Sequence, residues 1–142
     1  LVVEDRVPIV QGDTRITPIA IPGHTDGSLA LIFDVTDRGT RHTAGLFGGT
    51  ILLADRITTA GLEQYVSSIE RYVTIAQDMG VDVEIQNHPL FDATTERLQM
   101  LAARGTDDPH PFAMSTDNYA RFWGIVAECM RAEIARRADD AA

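Results

Sequence analysis

The spacing of apolar residues changes once along this chain, near Ala60, and that change limits what it can fold into. Before it, apolar residues come in short runs separated by Gly, Asp and Thr, the pattern of strands joined by tight turns. Val7–Val10 and Arg15–Ile21 flank the turn Gln11-Gly-Asp-Thr14 and predict a hairpin. Ser28–Val35 and Arg41–Phe47 predict two further strands, with Asp37-Arg-Gly-Thr40 as the turn between them. Pro8 and Pro18 lack the N–H that a central ladder needs, which places the first strands at an edge or at bulges.

After Ala60 the period lengthens. Leu62, Tyr65, Val66, Ile69, Tyr72, Val73, Ala76 and Met79 recur every three or four residues and form one face of a helix, with Gly80 as its C-cap. Val81–Gln86 is short and alternating, so it predicts a strand, with Asp82 and Glu84 on a solvated face. Asp92 is suited to N-cap a helix running to about Arg104 and stopped by Gly105. A last helix, from about Thr116 to Arg137, should turn Tyr119, Phe122, Trp123, Val126, Cys129, Met130 and Ile134 inward, and the tail from Ala138 to Ala142 should fray. Strands followed by helices give an α/β class: a mixed sheet with helices packed on one face, whose opposite face needs cover. Alone, such a chain should expose that apolar sheet face and tend to pair with a copy of itself.

The 142 residues suit one domain, and a net charge of -9 argues against nucleic acid, because phosphate binding requires a Lys/Arg surface. The same charge disfavours an anionic membrane surface, and no apolar run approaches the ~20 residues of a membrane span. Cys129 is the only cysteine, so no internal disulfide can form, and its place on the helical stripe reads as a small buried hydrophobe.

Two histidines carry the chemical interest. His24 lies in Ile21-Pro-Gly-His-Thr-Asp-Gly-Ser28 and His88 in Ile85-Gln-Asn-His-Pro89, each in a turn directly after a strand-like run. A turn at a strand end holds an imidazole outside the sheet, a placement that suits a metal ligand or a proton-transfer group. Gly23 and Gly27 let the first turn bend sharply, and Thr25 and Ser28 can hydrogen-bond within it.

The string Pro22-Gly-His-Thr-Asp-Gly-Ser28 resembles the third metal-binding motif of the metallo-β-lactamase-fold hydrolases. The sequel is similar too: a strand, a turn, a strand ending in Phe47-Gly-Gly-Thr50, an amphipathic helix, and a short strand closing on His88. Order and spacing are nearest the class B3-like branch, over roughly Val7 to Leu101. The resemblance implies an αβ/βα sandwich of which residues 1–142 are the C-terminal half. It implies one or two zinc ions in the complete protein, with His24 on the first metal and His88 on the second. A metal-held hydroxide would then attack an ester, lactam, lactone or thioester in a small-molecule substrate.

Two departures qualify this. No His-x-His-x-Asp-His string occurs in the chain, so most ligands would lie upstream of Leu1 and the chain alone should be inactive. Thr50 stands where many relatives carry a bridging Asp; a neutral hydroxyl suits a hydrogen bond to water or substrate instead. That disfavours a glyoxalase-II or phosphodiesterase activity. Two alternatives stay open: a mononuclear-iron sulfur dioxygenase of the same fold, and a non-catalytic binding or scaffolding domain. His110, held between Pro109 and Pro111, is expected to wall a substrate pocket, and His42 to be structural.

Overall fold

The computed structural model describes residues 2–50 and 54–140. Five strands form one sheet in the order β1-β2-β3-β4-β5. β1 (Ile9–Gln11), β2 (Thr14–Ala20), β3 (Leu29–Asp37) and β4 (Thr40–Phe47) make an antiparallel meander, and β5 (Val83–Ile85) adds parallel to β4. A parallel addition needs a crossover, and α1 (Thr59–Asp78) lies within it. α2 (Thr94–Ala102) and α3 (Thr116–Asp140) complete the chain. Since β2 and β4 both run against β3, and β5 runs with β4, strands β2, β4 and β5 all end at one rim of the sheet.

Local chemistry explains the meander. Arg38 and Gly39 both have positive φ, 48° and 86°, as a two-residue hairpin turn matched to strand twist requires. Pro8 precedes the edge strand β1. Pro18 lies in β2 beyond the last residue paired with β1, and its carbonyl accepts from the Arg6 N–H at 2.8 Å. On a strand the N–H and C=O of one residue point the same way. The missing N–H of Pro18 therefore faces the side where β1 has already ended.

Alternation divides the sheet into two unlike faces. Ile19, Ala30 and Phe47 share one face, with Ile32 and Gly45, and are buried beneath α1 and α3. Leu62, Tyr65, Ile69, Tyr72 and Ala76 of α1 meet Tyr119, Trp123 and Ala127 of α3 in this core. The other face carries Ile16, Leu31, Phe33, Leu46 and Ile85, all partly exposed. This is the incompletely covered apolar face that the strand-then-helix pattern implies.

Several expectations are corrected. Glu84 is not on a solvated face: it is fully buried on the helix side of β5, where Trp123 donates to it. Asp82 is also engaged, accepting from the Thr43 N–H at 2.9 Å and bonding His42 Nδ1 at 2.7 Å. The alternating segment does form a strand, but the apolar Val83 and Ile85 belong to the opposite face. Cys129 is exposed, because the inward stripe of α3 runs through Tyr119, Trp123 and Ala127, with Phe122, Val126, Met130 and Ile134 at its margins. Asp92 does not cap α2. Ala93 occupies that position in the left-handed conformation, while the Asp92 carboxylate is buried and accepts from the Thr94 hydroxyl. The final helix extends to Asp140 rather than fraying from Ala138, and Ala141 and Ala142 lie outside the described residues.

Candidate functional site

The turn bearing His24 follows β2 and is fixed from three directions. Within it, Ser28 Oγ accepts from the Thr25 N–H at 3.1 Å and lies 2.9 Å from Thr25 Oγ1. Beneath it, the Ser68 hydroxyl of α1 donates to the Pro22 carbonyl at 2.7 Å. Gly23, at φ 133°, passes so close to α1 that a β-carbon there would lie 2.5 Å from Tyr65 Cα. From the side, Gly49 in the loop after β4 lies against the imidazole itself, with φ 77°. His24 is half-buried, and its Nδ1 is enclosed with no hydrogen-bond partner among the described residues.

Thr50 follows Gly49 and is buried, and its hydroxyl donates to Asn87 Oδ1 at 3.3 Å. The same Asn87 oxygen is 3.1 Å from His88 Nδ1. An amide oxygen only accepts, so His88 Nδ1 donates in this contact, and it is the Nε2 of the neutral ring that offers a lone pair. A hydrogen bond to one ring nitrogen that orients the other is the usual support of a ligating histidine. Contacts therefore run from His24 to Gly49, on to Thr50, across to Asn87 and back to His88. They link the loops after β2, β4 and β5 at the shared rim.

His110 lies elsewhere. It lines a pocket of about 330 Å³ with Val35, His42, Val83, Ile85 and Phe112, and none of His24, Thr50 or His88 contributes to that lining. Its Nδ1 accepts from the Phe112 N–H at 3.2 Å. Arg104 secures this loop by pairing both its Nη atoms with the Asp37 carboxylate, at 2.8 and 2.7 Å. His42, held by Asp82, shares the pocket. Asn87 and Gly49 were not singled out from sequence; the Asn87-His88 pair and the Gly48-Gly49 step beside Thr50 were the available signals.

Among the described residues, no group of three or more His, Cys, Asp or Glu side chains could hold a metal ion. Also among the described residues, no helix is long and apolar enough to cross a membrane.

No protein-family model and no curated protein matches the chain. Solved structures do. A subclass B3 metallo-β-lactamase of Bradyrhizobium japonicum superposes with a TM-score of 0.77 at 19% identity, over 99% of this chain and 52% of its own. A metallo-β-lactamase of Legionella gormanii gives 0.65 at 21% identity, over 92% of this chain and 50% of its own. A class B3 di-zinc metallo-β-lactamase from an Alaskan soil metagenome gives 0.62 at 17% identity, over 93% and 48%. The chain thus spans about half the length of the structures it matches. With its five-stranded mixed sheet and helices on one face, it has the metallo-β-lactamase fold over that half, consistent with the C-terminal one.

Proposed function

We propose that this chain supplies part of the active site of a zinc-dependent hydrolase acting on an ester, lactam, lactone or thioester carbonyl, with His24 and His88 as metal ligands. The observation that carries the reading is the line of contacts joining the two histidine turns through Gly49, Thr50 and Asn87. The donor chemistry fits zinc: two imidazoles, one with its Nδ1 tethered to Asn87, the other with an enclosed and unpartnered Nδ1. Zinc would supply Lewis acidity toward the substrate carbonyl and its attacking water.

In this reading the buried Thr50 hydroxyl fixes Asn87 and keeps only a lone pair for a bound water or substrate group, while His110 walls a separate pocket. Two imidazoles fall short of the four-ligand shell zinc prefers, so the remaining ligands would come from outside the described residues. The chain by itself is expected to be inactive. Its partly exposed sheet face supports an arrangement in which further polypeptide, or a second copy, packs against it.

The test is hydrolysis by the intact protein of a panel of β-lactam, lactone, ester and thioester substrates, before and after chelation. Turnover that is lost with chelator and restored by zinc is expected. A zinc-replete protein that hydrolyses none of the four classes would count against the reading.

A further inference from the structure

Glu84 has no exposed surface and points from β5 into the core beneath α1 and α3. Trp123 Nε1–H of α3 donates to its Oε2 at 3.3 Å, and the Gln86 amide donates to its Oε1. The Tyr119 hydroxyl faces the carboxyl, and it lies 2.6 Å from the Tyr72 hydroxyl of α1. Gly45 of β4 makes the space: a β-carbon there would stand 2.3 Å from Tyr119 Oη and 2.5 Å from Tyr72 Oη. The titratable groups facing Glu84 are Tyr72 from α1, Tyr119 from α3 and Asp92 from the turn ahead of α2.

This cluster meets the carboxyl in two states. With Glu84 ionised, the Gln86 and Trp123 N–H groups donate to a carboxylate, the stronger acceptor. With Glu84 neutral, one carboxyl oxygen carries a proton and both contacts weaken. One proton therefore alters the hold on Gln86 and on the Trp123 ring together. Burial pushes the carboxyl up to about 8 against the pull of the Gln86 and Trp123 bonds, so both states are reachable near neutral pH.

The same cluster holds the arm that carries His88. Gln86, bonded to Glu84, is the last residue before Asn87 and His88. Phe91, three residues beyond His88, stacks on the Trp123 ring with centroids 5.8 Å apart. Both ends of the segment from Glu84 to Phe91 are thus fastened to one Glu84–Trp123 unit, with Asn87 and His88 between them.

We infer that Glu84 is a positioning residue for His88, and that the protonation state of its carboxyl is transmitted through Gln86 and Trp123 to the setting of the Asn87-His88 arm. Its functional meaning rests on His88 being a ligand, but the coupling itself can be read without metal.

The experiment follows two probes in the metal-free intact protein from about pH 6 to about pH 10. One is Trp123 fluorescence, isolated by difference from Trp123→Phe. The other is the His88 imidazole proton resonance, assigned by its loss in His88→Gln. An inflection common to both, separate from the titration of His88 itself and abolished in Glu84→Gln, is the expected result. Trp123→Phe removes a donor that favours the carboxylate and should move the His88 inflection to higher pH, which decides the matter even if Glu84→Gln does not fold. Absence of a shared inflection, its persistence in Glu84→Gln, or an unmoved midpoint in Trp123→Phe would overturn the inference.

Discussion

Gly49 lies so close to His24 that a β-carbon on it would stand 2.7 Å from the histidine Cβ and 2.8 Å from its Cγ. Its φ of 77° is one that other residues adopt only with strain. Gly49→Ala should therefore lower stability by about 1–2 kcal/mol from backbone strain alone. On the proposed reading of His24 as a ligand, it should also displace the imidazole and weaken zinc binding by about ten-fold or more. Urea denaturation and competition with a chelating dye measure the two effects separately.

Gly45→Ala acts in the core rather than at the rim. The added methyl would collide with the Tyr72 and Tyr119 hydroxyls, and overpacking of this kind costs about 1–3 kcal/mol. Pairing Gly45→Ala with Tyr119→Phe should recover part of that loss, because one of the two obstructing oxygens is gone. A double-mutant cycle in urea checks it, and strict additivity would contradict the packing account.

Stability should also depend on pH through Glu84. Burial keeps its carboxyl protonated in the folded chain up to about pH 8, whereas an unperturbed glutamate loses its proton near 4.5. Between those values the folded state holds a proton that the unfolded state lacks. The stability contributed by the neutral acid is therefore complete below about pH 4.5 and is lost as pH rises toward about 8. Thermal melts should show a decline across that window in the wild type and a flatter profile in Glu84→Gln.

Core and surface of the helices should respond very differently. Ile69 is only 1% exposed against the sheet, so Ile69→Ala should cost about 2–5 kcal/mol. Cys129 is exposed, so Cys129→Ser should stay within about 0.5 kcal/mol of wild type. Equal losses at the two positions would mean that α3 docks on a different face.

Much of the architecture was legible because it depends on local periodicity. Alternation located the strands, the three-to-four spacing located α1, and glycine-bearing turns after strands drew attention to His24 and His88. What escaped was set by residues far apart in sequence. Alternation from Val81 to Gln86 announces a strand without saying which side faces the helices. The side that Glu84 takes is decided by its partner Trp123, which arrives from the far end of the chain. Cys129 lies outside the core for a geometric reason: the buried stripe of α3 is narrow, and a residue two positions beyond Ala127 falls off it. Asp92 looked like a cap, yet its carboxylate turns to Thr94 beneath the protein surface. The tie between Thr50 and Asn87 depends on the parallel pairing of β4 with β5, which no local pattern encodes.

The central proposal is that His24 and His88 ligate metal at one rim, and zinc stoichiometry of the intact protein tests it most directly. The comparison is wild type against His24→Ala and His88→Ala, with His42→Ala as a folded control whose imidazole serves Asp82 instead. Loss of bound zinc in both rim variants, with the control unchanged, is the expected result. Full zinc occupancy in either rim variant would contradict the assignment.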